Sequence, residues 1–160
     1  MRMTKTGNLA ALLHVAAQDL RAGAEMLEER LPAVRDAATD AALRAVLDQD
    51  MAAATERSAG LPGGGPKNLW MAGVLDDADR DAGSHQPGPV LDIALVGAVR
   101  KAKAAEIVSY DTAIALARRL EDTTMAAVLE AGRASSIATD TALRERLAAL
   151  AHSAASAAAH

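Results

Sequence analysis

LDIALVGAVRKAKAAEIVSYDTAIALA, residues 91–117, is the stretch whose reading decides the fold. It is long and nearly free of helix breakers. Leu95, Val99, Ala102, Glu106, Tyr110 and Ala113 recur at intervals of three and four, the spacing of a helix with one buried face. Glu106 falls in the middle of that apolar face, and Lys103 lies one turn before it. Carboxylates aimed at the centre of a helical bundle are how such bundles hold metals. A carboxylate with a lysine beside it is a different arrangement, and its consequences run through the rest of the chain.

The segments before it read the same way. A first helix is expected from Thr6 or Asn8 to Leu31, ended by Pro32, with a stripe of Leu9, Leu13, Ala16, Leu20, Ala24, Leu27 and Leu31. A second is expected behind an N-cap at Thr39, carrying Leu43, Leu47, Met51, Ala54 and Ser58 and failing at Gly60. AGLPGGGPKN, residues 59–68, then interrupts the pattern. Its glycines invite a phosphate-loop reading, but no strand precedes them and no Gly-Lys-Ser/Thr closes them, so a flexible connector is expected. Residues 69–82 suggest a short helix whose Trp70 covers one end of the bundle, and GSHQPGP breaks the chain again.

After the long helix, whose start is expected at Asp92 or in the Pro87–Pro89 turn, a last one should run from Asp122 to Leu150. Met125, Val128, Leu129, Ile137, Leu143, Leu147 and Leu150 form its buried set. Gly132 inside it marks close helix contact. Residues 1–151 are therefore expected to form one domain and residues 152–160, rich in Ala, Ser and His, a flexible tail. Two helices, a crossover of roughly thirty residues holding a short extra helix, and two more helices make an all-α four-helix bundle with one long connection, the ferritin-like arrangement.

Composition agrees. The chain has 160 residues, enough for one domain with a real core. Apolar residues make up 51%, yet aromatics only 1%, which suits closely packed helices and not a sandwich or barrel. The absence of cysteine excludes disulfides, thiolate zinc sites and cysteine nucleophiles. A net charge of −4 offers no basic surface for nucleic acid. No stretch reads as a signal peptide or membrane span, so the cytoplasm is the expected location.

In order and spacing, the chain from about Leu13 to Ala151 resembles the bacterial ferritin-like proteins of the DUF892 group, the YciE/YciF-type stress-associated proteins. The likeness rests on Asp19-Leu20, Leu31-Pro32, Leu43, Leu47 and Leu61, then on Met71 through Leu75 and Asp77. It continues through Asp92, Leu95, Val96, Glu106-Ile107, Tyr110 and Thr112 to Val128-Leu129, Thr139-Asp140 and Leu143. The resemblance implies a stress-response setting and a di-metal centre between the helices. It also implies where ligands would stand, and there this chain departs. A Glu of the first helix is replaced by Ala24. The His and the Glu-Thr of the second become Asp50 and Ala53-Ala54. The Glu-His-Tyr-Glu-Ile of the third reads Lys103-Ala104-Ala105-Glu106-Ile107, and the Glu-Glu of the fourth reads Ser135-Ser136. Only Glu106 is left.

A di-iron or di-manganese site in a bundle uses about four carboxylates and two histidines. Glu106, Asp50 and Asp140 are the residual metal candidates here, with no well-placed His. No cofactor is therefore expected; the alternative is a single Fe or Mn held by Glu106 and Asp50. Buried charges persist when paired, so Lys103 is expected to pair with Glu106 or, across the bundle, with Asp50. Lys103, Glu106, Asp50, Ser135, Ser136 and Tyr110 would then form a buried polar cluster at the vacated site. Tyr110, the one tyrosine, is expected in the core; His14 and His85 are expected at the surface, and Trp70 could equally anchor a subunit contact.

The expected function is that of a metal-free, degenerate ferritin-like bundle acting as a structural or interaction protein, a homodimer with an unidentified protein partner, and not an oxidase. A divergent metal-binding protein using Glu106 and Asp50 is one alternative. A small-ligand binder, whose buried cavity would be lined by Ala24, Ala53, Lys103 and Ser135, is the other.

Overall fold

Asn8 opens the first helix, its Oδ1 accepting from the Ala11 N–H at 2.8 Å. The computed structural model describes residues 7–159, so the alternative start at Thr6 and the last residue, His160, lie outside it. Five helices and no strand occur among the described residues: α1 (Leu9–Ala37), α2 (Ala41–Ala59), α3 (Leu69–Ser84), α4 (Pro89–Arg119) and α5 (Thr123–Ala158). The fold is the all-α ferritin-like bundle. α1 packs on α2, α2 on α5, α5 on α4 and α4 on α1, which closes a square; α2 and α4 face each other across its diagonal. The short helix of the crossover, α3, lies against α1 and α4 outside that square.

Several boundaries differ from expectation, each for a local reason. Pro32 does not end α1, which continues to Ala37. A proline inside a helix sacrifices one backbone hydrogen bond and costs about 3 kcal/mol. Pro32 is exposed, while Leu27, Leu31 and Val34 around it are almost wholly buried, so core burial holds the turn together. The N-cap of α2 is Asp40, not Thr39: Asp40 Oδ2 accepts from the Leu43 N–H at 2.8 Å.

Thr39 turns the other way and donates from its N–H and its hydroxyl to Asp92, at 2.7 and 2.6 Å. The Asp40 N–H reaches Asp92 as well, at 3.1 Å. Asp92 therefore fastens the α1–α2 turn from α4 instead of capping α4. That helix starts on Pro89 at its first turn, after Gly88 at φ 144°, a conformation that side chains beyond glycine resist.

The glycine-rich connector is strapped to α1. Gln18 donates to the Gly63 carbonyl at 2.8 Å and Arg21 to the Leu61 carbonyl at 2.7 Å. Asn68 donates to the Asp19 carbonyl at 2.9 Å and Trp70 Nε1 to the Asp19 carboxylate at 3.1 Å. Trp70 thus pins the crossover to the flank of α1. At the other end of the chain, the Ala/Ser/His-rich segment continues α5 as helix to Ala158, exposed beyond Leu150 except for half-buried Ala154.

The core is in two parts. One apolar cluster includes Leu27, Leu31, Leu43, Leu47, Met71, Leu75, Leu95, Val99 and Leu143. The other includes Leu13, Leu20, Leu61, Tyr110, Ile114 and Leu129. On α4 the first ends at Ala102 and the second begins at Tyr110. The turns between them carry Lys103 and Glu106.

Candidate functional site: a buried layer of charge

Four ionic side chains fill the layer between the two apolar clusters. α2 supplies Asp50 and Arg57, seven residues apart and so on one face after two turns; α4 supplies Lys103 and Glu106. Asp50 and Lys103 are fully buried, Glu106 is 3% exposed and Arg57 6%. Lys103 Nζ lies 2.8 Å from Asp50 Oδ1, 2.7 Å from Asp50 Oδ2 and 3.1 Å from Glu106 Oε2. Arg57 Nη2 stands farther off, 3.4 Å from Asp50 and 3.7 Å from Glu106. Two cations meet two anions, so the layer is neutral and each ion has a partner.

Hydroxyls complete it. Ser136 donates to Glu106 Oε2 at 2.6 Å and Thr139 to Asp50 Oδ1 at 3.2 Å. Arg57 Nη1 donates to Ser135 Oγ at 3.0 Å. One turn beyond Glu106, Tyr110 packs against α5 where Gly132 leaves room. A β-carbon at Gly132 would stand 2.5 Å from the Tyr110 hydroxyl oxygen, so only glycine allows this approach. Burial, and then the Glu106 charge, push the Tyr110 hydroxyl far above the usual tyrosine range.

Of the residues expected at the vacated site, Asp50, Lys103, Glu106 and Ser136 meet in this layer, with Lys103 paired to both carboxylates, and Ser135 joins through Arg57; Tyr110 lies one turn on, in the second apolar cluster. Asp140 is not part of the layer. Half-buried, it turns to α4 and pairs with Arg100 at 2.7 Å. Thr139 and above all Arg57 are the members sequence reasoning missed. The stripe traced through Leu43, Leu47, Met51 and Ala54 follows hydrophobicity, whereas the buried face runs through Leu43, Leu47, Asp50, Ala54 and Arg57. The signal was the heptad spacing of Asp50 and Arg57, opposite charges at consecutive core positions.

The donor set does not fit a di-metal centre. Among the described residues no three His, Asp or Glu side chains gather as metal ligands would. Both carboxylates of the layer already bind an ammonium, and a divalent ion between them would displace Lys103 against like-charge repulsion. The cavity imagined between Ala24, Ala53, Lys103 and Ser135 takes another form. Ala24 and Lys103 are sealed in the core, while Ala53, Arg57 and Ser135 line an open groove of about 320 Å³ between α2 and α5. His14 is exposed; His85, half-buried, caps α3 with Nδ1 3.0 Å from the Asp81 carbonyl oxygen. No helix among the described residues is long and apolar enough to cross a membrane.

Residues 8–156 match the family described as a domain of unknown function, DUF892. Among solved structures, the chain is similar to the Escherichia coli stress protein YciF, with a TM-score of 0.88 at 20% identity over 92% of this chain and 99% of that one. It is also similar to YcfI, a proposed structural protein from Rhodopseudomonas palustris, with a TM-score of 0.85 at 21% identity over 90% of this chain and 98% of that one. No curated protein matches the chain.

Proposed function

The chain belongs to the DUF892 family, and we propose that it works as a metal-free structural or interaction protein in which protein-borne cations replace a di-metal centre. The observation that carries this reading is the position of Lys103, whose ammonium lies within 3.1 Å of both Asp50 and Glu106. Arg57 supplies the second positive charge. A bundle neutralised in this way keeps its shape without metal and has no open coordination position at which dioxygen or peroxide could react.

A stress-associated setting is supported by the similarity to a stress protein, and a structural role by the similarity to a proposed structural protein. The protein would act in the cytoplasm as a homodimer. Support for self-association comes from α1, where Leu9, Leu12 and Val15 follow one another at intervals of three and are each 44–45% exposed.

The test is oxidation of Fe(II) in air with and without the purified protein. No acceleration over buffer is expected. A protein-dependent burst of oxidation would overturn the reading.

A further inference from the structure

We propose that the groove between α2 and α5 binds a small monocarboxylate, with its carboxyl group held by Arg57 and Ser135. This goes beyond the structural role above and leaves it unchanged.

The four ions of the buried layer are unequally paired. Lys103 holds both carboxylates at 2.7–3.1 Å, while Arg57 reaches them only at 3.4 and 3.7 Å. Arg57 Nε is buried and has no hydrogen-bond partner among the described residues. An arginine has five N–H donors and no acceptor, and an orphaned buried donor is a free-energy cost that an incoming acceptor removes.

The same side chain, 3% exposed, lines the groove together with Ser135. Ser135 Oγ accepts from Arg57 Nη1, which leaves the hydroxyl proton free to donate. The guanidinium and the Ser135 hydroxyl therefore stand side by side at the groove. A guanidinium with an adjacent hydroxyl matches the planar, two-oxygen geometry of a carboxylate.

The walls fix the remainder of the ligand. Ala53, Val128 and Ala131 are small or apolar, and Glu56 is the one acid on the rim. A volume of about 320 Å³ admits a carboxylate on a short alkyl chain. The chain would lie along Val128 and the alanines, and Glu56 would turn away a second negative charge. The class is thus a short-chain monocarboxylate, with dianions excluded.

The experiment follows the Arg57 Nε–H correlation in isotope-labelled full-length protein, assigned by its loss in Arg57→Lys. Acetate, butyrate and succinate are titrated against chloride at matched ionic strength. The expected result is a saturable shift with acetate and a tighter one with butyrate, since each buried methylene strengthens binding by up to about fourfold. Chloride and succinate should give no saturable shift.

Ala131→Phe, at an exposed position on the groove wall, fills the groove and should weaken butyrate at least about tenfold. Ala53→Leu fills it from the opposite wall and serves if that variant does not fold. A shift equal in chloride, no saturable shift with either monocarboxylate, or unchanged affinity in the filled variant would overturn the assignment.

Discussion

Lys103 of α4 and Asp50 of α2 meet at 2.7 Å across the diagonal of the bundle, and neither is open to solvent. Their helices are not neighbours in the square, so the ion pair joins two elements that otherwise scarcely touch. It also gives Asp50 a partner inside the core. A carboxylate without water needs a cation or a ligand in its place.

Removing the lysine leaves two buried carboxylates facing the more distant Arg57. Lys103→Ala is expected to cost about 3–5 kcal/mol, the usual penalty for breaking a buried pair from one side. For a chain of this size that lowers the midpoint of thermal unfolding by about 10 °C. Replacing both partners, as in Lys103→Met with Asp50→Leu, should recover much of the loss, because two apolar groups leave no unpaired charge. Thermal denaturation of Lys103→Met, Asp50→Leu and the double decides it. Additive losses would mean that the residues do not act as a pair.

Tyr110 is the only tyrosine, so ionisation of tyrosine in the spectrum belongs to it alone. Its folded-state value is raised above the ordinary 10.0 by burial and by Glu106. Below pH 10 the folded and unfolded chains both keep the proton and the group contributes no pH dependence. Above pH 10 the unfolded chain releases it first, so stability falls as the pH rises. Tyrosinate absorbance should therefore appear together with unfolding, not in a separate earlier step. Tyr110→Phe should weaken the loss of thermal stability on the alkaline side. A native-state ionisation centred near pH 10 would contradict the burial of this hydroxyl.

Gly132 faces the Tyr110 ring, and a β-carbon there would lie 2.5 Å from its hydroxyl oxygen. In an exposed helix interior, glycine to alanine gains up to about 1 kcal/mol. Here the sign reverses. Gly132→Ala is expected to destabilise by about 1–3 kcal/mol through overpacking. In a Tyr110→Leu background the penalty should largely disappear. Chemical denaturation of the four proteins gives the coupling, and stabilisation by Gly132→Ala alone would show that the two helices are not in contact there.

Much of this arrangement was legible in the residues, and the exceptions have physical causes. The period of residues 91–117, the helix starts near Asn8 and Asp122 and the break at Gly60 all lie in local backbone chemistry, which a sequence displays directly. Lys103 beside Glu106 on one face was enough to expect a pair. Pro32 misled because local propensity argues for a break where burial of Leu27, Leu31 and Val34 wins. Thr39 and Asp92 misled because both are good caps, and their real partners lie on other helices. Arg57 went unseen because an arginine late in a helix is ordinarily a solvated charge or a match for the helix dipole. Its burial depends on carboxylates from two helices, a long-range fact that no local pattern contains.

The most direct measurement is elemental analysis of the purified protein after exposure to Fe(II), Mn(II) and Zn(II), beside Glu106→Ala treated in the same way. Asp50 and Glu106 are already neutralised by Lys103 and Arg57. Metal per chain should therefore stay near zero in both proteins. A stoichiometric metal in the wild type that Glu106→Ala loses would contradict the account, because a metal ion would then hold the carboxylates that Lys103 and Arg57 are claimed to occupy.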